Sequence, residues 1–286
     1  MEAMGEGGGE RGELGLGFTE IETNAEGLKP SEIFHIVKEL IGFVLYMHHQ
    51  IPSVLQHLED EFDALKDEYK GLFFLQESTS VKESKASLQR QHNMRKREVK
   101  SGIKRLEKLM NAISSLVSAL KEAIDGTSNI HGVTLVLGAS PARPQHVYEM
   151  FFPCGRVDSG DTTGCIKSKV AEALSRKVIR ALISSGAGSA SYTGPTKLFL
   201  LVRSPCTLNL PLHFLPKRDF KYHKKAVPFR LHIKSKTYNA VVGGCHHTSE
   251  IGPSASPLHS TSDDVLWFQC RHTVRGLPSK ASEAGC

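Results

Sequence analysis

Cys245-His246-His247 is the tightest cluster of metal-ligating residue types in the chain. Adjacent side chains on a strand point to opposite faces, and no partner pair stands at ligand spacing from these three. The six cysteines, at 154, 165, 206, 245, 270 and 286, form no C-x-x-C pair. Zinc-ribbon spacing is therefore absent, and solvated loop residues are the expectation for 245–247. His48 and His49 lie about 100° apart on a helix, not at the i, i+4 spacing that lets two imidazoles share one metal. Gly160-Asp161-Thr162-Thr163-Gly164 resembles a phosphate-binding turn at a helix start, but Cys165 stands where a lysine must reach the phosphates. Gly138-Ala139-Ser140-Pro141 ends a strand without the second glycine of a nucleophile elbow. The carboxylates Glu59-Asp60-Glu61 read as a solvated helix face. The chain is therefore expected to be no enzyme and to need no cofactor.

The remaining chemistry is electrostatic. Lys82, Lys85, Arg90, Arg95, Lys96, Arg97, Lys100, Lys104, Arg105 and Lys108 place ten cations in 27 positions. That density makes a patch capable of touching nucleic acid. No aromatic residue interleaves them, so a base-stacking platform is missing. The whole chain of 286 residues carries a formal charge of +6, with 40% hydrophobic and 23% charged residues. These fractions are those of a globular protein with a packed core. No apolar run reaches the roughly 18–20 residues of a membrane span. The glycine- and glutamate-rich start lacks the apolar stretch of a secretory signal, and an intracellular protein is the expectation.

Residues 1–28 hold few apolar positions and read as a disordered tail. A domain is expected over 29–278, with a flexible C-terminus at 279–286. Ser31 is the expected N-cap of a first helix. Ile33, Ile36, Val37, Leu40, Ile41 and Val44 recur along it at helical spacing, and it stops before Pro52. A second helical pattern covers about 53–69. The basic segment leads into a third, through Ile103, Leu106, Met110, Ile113, Val117 and Leu120, with Gly126 as its stop. The period then changes. An apolar run rich in β-branched residues at 133–137, further short stretches at 147–151, 197–202 and 265–269, and the alternating or half-alternating 229–233 and 238–242 predict strands, the last two paired as a hairpin. One helix, 165–184, interrupts them, capped by Asp161 or Thr163. Helices first, then strands, is an α+β order with helices on one face of a mainly antiparallel sheet.

The inserted helix carries an expected core stripe of Ile166, Val170, Ala173, Leu174, Val178 and Ala181. Ile179 and Ile183 fall nearly opposite it, stacked as i, i+4 neighbours among Glu172, Ser175, Arg176 and Arg180. Two isoleucines on a polar outer face suggest a docking patch; a covering loop or C-terminal segment would explain them equally well.

Three stretches resemble the comet protein family, the adaptors that bind the mitotic-arrest-deficient HORMA protein of the spindle checkpoint. IFHIVKELIGFVLYMHHQIP at 33–52 is similar to the family's first helix. VTLVLGASPARPQHVYEM at 133–150 is similar to its strand–turn–strand, and DDVLWFQCRHTVRGLP at 263–278 to its C-terminal signature. LHFLPK at 212–217 matches a family F-x-P-K segment. The matches span about residues 30–278, in order.

The resemblance implies a HORMA-like fold whose C-terminal segment crosses the sheet as a safety belt, with Trp267, Phe268 and Gln269 as the belt signature. It implies a non-enzymatic adaptor that binds the closed conformer of the checkpoint HORMA protein and delivers it to the pachytene-checkpoint AAA+ ATPase. That activity would silence the spindle assembly checkpoint, and would extend to meiotic axis HORMA proteins. It implies a nuclear and cytoplasmic location, with kinetochore, spindle and meiotic chromosomes as further sites. The implied HORMA-binding residues are Ile179, Ile183, Arg176 and Met47. Ile179 takes the place of a family aromatic, and Met47 that of a family glutamine. Pro216 and Lys217 are the implied ATPase-binding pair, set in a basic loop with Arg218, Lys221, Lys224 and Lys225. The alternative is a basic chromosome-associated scaffold that contacts nucleic acid through 82–108.

Overall fold

The computed structural model describes residues 18–23, 28–78, 86–127, 129–152, 169–188, 194–223, 225–235 and 265–277. The expectations for residues 1–17, the hairpin strand 238–242, the helix start at 165–168, Cys245-His246-His247 and the C-terminus beyond 277 lie outside these.

Among the described residues, four α-helices and an eight-stranded sheet make an α+β fold. β1 is Thr19–Thr23, β2 Gly132–Ser140, β3 Arg143–Phe151 and β4 Lys197–Pro205. β5 is Phe214–Lys217, β6 Phe229–Ser235, β7 Val265–Cys270 and β8 Val274–Arg275. The sheet runs β1-β6-β3-β2-β4-β7-β5, with β8 beside β4. β2 pairs antiparallel with β3 and β4, and β7 pairs antiparallel with β4 and β5. β6 runs parallel to both of its neighbours, β1 and β3.

Period-2 alternation sorts the strands onto two faces. Val133, Leu135 and Leu137 of β2, with Leu198, Leu200 and Val202 of β4, turn toward the helices and join the main core. Val136, Phe199 and Leu201 point the other way, into a small cluster closed by Phe220 and Trp267. β2 and β4 are thus covered on both sides, which is why they read in sequence as continuous apolar runs rather than alternating ones.

The helices supply the other half of the core. α1 (Pro30–Met47) buries Ile36, Val37, Leu40, Ile41, Val44 and Leu45, all at 1% exposure or less. Pro30 occupies its first turn, and Lys29 rather than Ser31 is the cap residue. The Glu32 carboxylate accepts the Lys29 backbone N–H at 2.9 Å, satisfying one donor at the open helix end. α2 (Leu58–Ser78) and α3 (Ala86–Asp125) run antiparallel. Glu68 meets Arg95 at 2.6 Å, and Leu65 sits over Gly102. The C-terminal half of α3 enters the core through Leu106, Leu109, Leu116 and Leu120, and Gly126 ends it. α4 (Lys169–Ser184) packs on α1 and β1.

One expectation is corrected here. The supposed tail, 1–28, contains β1: Ile21 and Thr23 are buried, and each β1 residue has a parallel partner on β6. Five alternating residues carry little helical or strand signal alone; the β6 edge supplies the pairing. β6 in turn lies between β1 and β3, and the hairpin expected between 229–233 and 238–242 falls partly outside the described residues.

Candidate functional site

The phase of α4 differs from the expected one. Its buried residues are Ala171, Leu174, Ser175, Val178 and Leu182, while Val170 is 39% exposed and Ala173 is exposed. Ser175, expected on the surface, is 5% exposed, and its hydroxyl donates to the Ala171 carbonyl at 2.8 Å. Ala171 and Ser175 share the buried side with Leu174, Val178 and Leu182, where α4 packs on α1 and β1, so a bulk-weighted apolar stripe is turned away from the true one. At about 100° per residue, Ile179 and Ile183 sit roughly 80–120° from the centre of the buried arc, on its flank rather than opposite it.

That flank still presents apolar surface. Ile183 is 57% exposed and Ile179 half-buried. Ile179 lines a groove of about 460 Å³ together with Phe43 and Tyr46 of α1, Leu55, and Met110 and Val117 of α3. Tyr46 is 46% exposed at its edge. Arg176 stands outside the groove, its guanidinium 2.6 Å from Glu172 one turn back. Such an exposed pair contributes little to stability and leaves Arg176 free to exchange partners. Met47 lies not on this outer face but under the turn that follows α4: an added Cβ on Gly188, which has φ +88°, would meet Met47 Cγ at 2.6 Å. The structure therefore gathers Ile179, Ile183 and Arg176 on one helix face, and assigns Met47 to the α1–α4 junction.

The residues just beyond α1 fix this arrangement, and sequence reasoning missed them. His48 is 9% exposed, with its Nε2 2.5 Å from the Tyr148 hydroxyl of β3 and its ring 4.1 Å from that of His146. Burial, and secondarily the neighbouring His146 and His49, push its pKa down to about 4. Neutral imidazole is the resident form. The Tyr148 ring stacks on Phe229 of β6, and burial pushes its hydroxyl pKa up. Gln50, 2% exposed, donates to the His48 carbonyl at 2.7 Å and accepts the Thr196 N–H at 2.7 Å. Its own carbonyl accepts the Leu277 N–H at 2.9 Å. One glutamine thus ties α1, β4 and the C-terminal segment together. The partners lie about 100 residues and more away in sequence, so no local pattern announces them.

The far edge of the sheet holds the other expected residues. Pro216 and Lys217 lie on β5, a strand and not the expected loop, and both are exposed. Pro216 is level with Phe268 of β7, and Lys217 with Trp267. Proline is accommodated there because β5 is an edge strand with one unpaired side. Phe268 and Cys270 face the main core, Trp267 packs edge-on against Phe220 at 6.1 Å, and Gln269 pairs with Leu201 and Leu215. β7 and β8 together follow β4 from Pro205 to Lys197, so the C-terminal segment is a sheet element of the same chain. His213 joins it to the helices: its Nδ1 lies 2.9 Å from His272, and its Nε2 3.2 Å from Glu122 of α3.

On the outer sheet face, Glu149 of β3 accepts hydrogen bonds from Tyr222 and Arg230, each at 2.9 Å. Burial, then the nearby carboxylate, pushes the Tyr222 pKa up to about 12. The three groups satisfy one another, which is the arrangement of a structural brace.

Among the described residues, no group of three His, Cys, Asp or Glu side chains is placed to hold a metal ion, and no helix is long and apolar enough to cross a membrane. The chain matches no protein-family model and no curated protein.

Proposed function

We propose that this chain is a non-enzymatic adaptor that binds the closed conformer of the mitotic-arrest-deficient checkpoint HORMA protein and passes it to the pachytene-checkpoint AAA+ ATPase. The observation that carries the proposal is the apolar flank of α4, where exposed Ile183 stands one turn from Ile179, and Ile179 lines the groove with Phe43 and Tyr46. A contiguous apolar surface of this kind on a helix layer is what a protein partner covers. Arg176 sits beside it with an exchangeable ion pair. A C-terminal strand held inside its own sheet agrees with a HORMA-like chain whose belt is already closed.

The adaptor itself supplies only preference. A binder that holds one of two conformers shifts their populations by its differential affinity and no further. The energy for converting closed to open comes from ATP at the ATPase. That enzyme is engaged at Pro216 and Lys217 on the β5 edge. β1, on which α4 packs, and β5 are six inter-strand steps apart in the sheet order, roughly 29 Å at about 4.8 Å per step. Two partners can therefore be held at once. On this reading the same surface serves the meiotic HORMA proteins, and the adaptor acts in nucleus and cytoplasm.

The test is capture of purified open and closed checkpoint HORMA protein by the immobilised chain. Retention of the closed form alone, lost with Ile183→Glu, supports the reading. Equal capture of both conformers, or of neither, overturns it.

A further inference from the structure

The outer side of α3 between residues 90 and 108 has no part in the α4 surface or the β5 edge. Between residues 90 and 105 only Val99 is buried. Its cations divide by partner. Arg95 is held between Glu68 and Glu98, at 2.6 and 3.1 Å. Arg90, Arg97, Lys100, Lys104 and Lys108 are exposed and make no ion pair among the described residues. At about 100° per residue these five fall within roughly 80° of one another. They form a straight row along one side of the helix, roughly 27 Å long at 1.5 Å per residue.

We infer that this row is a docking strip for the sugar-phosphate backbone of a nucleic-acid duplex, read without regard to sequence. Five like charges on a continuous helix hold one another apart and gain only when a polyanion neutralises them together. A duplex offers one phosphate per about 1.7 Å of axis, so the row spans enough charge to engage all five. The alternatives fit less well. A protein interface places an apolar core inside its polar rim, and the row has none. A membrane-lying helix needs an apolar face to bury, whereas Val99, Leu106 and Leu109 of α3 already face inward and Met94 alone is exposed beside the row, at 68%. No aromatic residue lies in the row to stack on bases, so single strands gain nothing extra here.

The test uses the full chain and a fluorescein-labelled 30-base-pair duplex of mixed sequence, as DNA and as RNA, followed by anisotropy between 50 and 200 mM salt. Micromolar binding to either duplex is expected, with log K falling against log salt at a slope near −4.5 for five contacts. That slope is roughly a 500-fold loss over the range. Lys100→Gln/Lys104→Gln should weaken binding at 50 mM more than tenfold and make the slope shallower by about 1.8. Arg97→Gln/Lys108→Gln should do the same, and serves if the first pair alters the helical circular dichroism. Sequence-matched and scrambled duplexes should bind alike. No duplex binding at 100 μM protein overturns the proposal. So does binding that both double variants leave unchanged, or binding to vesicles with 30% phosphatidylserine but not to duplex.

Discussion

Gln50 occupies the space that a side chain on Gly276 would need: a Cβ built on Gly276 overlaps Gln50 Oε1 and comes within 2.9 Å of its Cδ. The glutamine that closes α1 and the glycine that follows β8 are thus fitted to each other. The Gly276 N–H meanwhile donates to the Thr196 carbonyl at 2.9 Å, and the Thr196 N–H donates to Gln50. The contact lies where the C-terminal segment, held by the β7 and β8 pairings, meets the end of α1.

Gly276→Ala should therefore destabilise the fold by about 1–3 kcal/mol through overpacking. Gln50→Ala removes the clash together with three hydrogen bonds, those to the His48 and Gly194 carbonyls and that from the Thr196 N–H. In a double-mutant cycle by urea unfolding, the combined variant should be more stable than the sum of the single losses. Simple additivity would show that the two side chains do not share the space.

Ile183→Glu should change stability by no more than about 0.5 kcal/mol, as for other exposed positions. It should weaken closed-HORMA binding at least tenfold, about 1.4 kcal/mol. Ile179→Glu, half-buried at the groove, should weaken binding similarly and also lower stability measurably. Leu174→Ala, in the core of α4, should cost about 2–5 kcal/mol by cavity formation. Calorimetry of unfolding and titration of binding separate the three. A stability loss at Ile183 equal to that at Leu174 would place it in the core.

Lys217→Glu should leave folding and HORMA binding intact, since Lys217 is exposed on an edge strand on the far side of the sheet from α4. Stimulation of the ATPase on closed HORMA substrate should fall. Parallel loss of both activities would mean that the two surfaces are one.

His48 gives the fold an acid-sensitive contact. Its folded pKa, down at about 4, lies below the ordinary value of 6.5, so the unfolded chain takes up the proton first as pH falls. The stability this contact contributes is complete above about pH 6.5 and is lost progressively down to about pH 4. Allowing for solvent screening at its rim, the loss is about 1–3 kcal/mol. His48→Gln should flatten the urea-midpoint profile over that range. Tyr148→Phe should lower stability at pH 7 by about 1–3 kcal/mol by leaving the buried imidazole without its partner.

What the sequence determined by itself was whatever depends on near neighbours. The apolar spacing of 33–44 dictates α1, short apolar runs dictate β2, β4 and β7, and Gly126 ends α3. These follow from helical and strand periods, which are properties of a few consecutive residues. Helices before strands was enough for the α+β class and for helices on one face. The isoleucines of α4 were legible as unusual. Their phase was not, because Ala171 and Ser175 share the buried side where α4 packs on α1 and β1, and small side chains carry almost no apolar signal. Tertiary structure alone decided that Thr19–Thr23 becomes a strand, since only the β6 edge satisfies its backbone. It alone set Pro216 beside Phe268, His48 on Tyr148 and Gln50 against Gly276. Each of these contacts joins residues more than 50 positions apart. Their free energy comes from excluding water and pairing buried polar groups across the closed fold, and a separation of that length leaves no period to read.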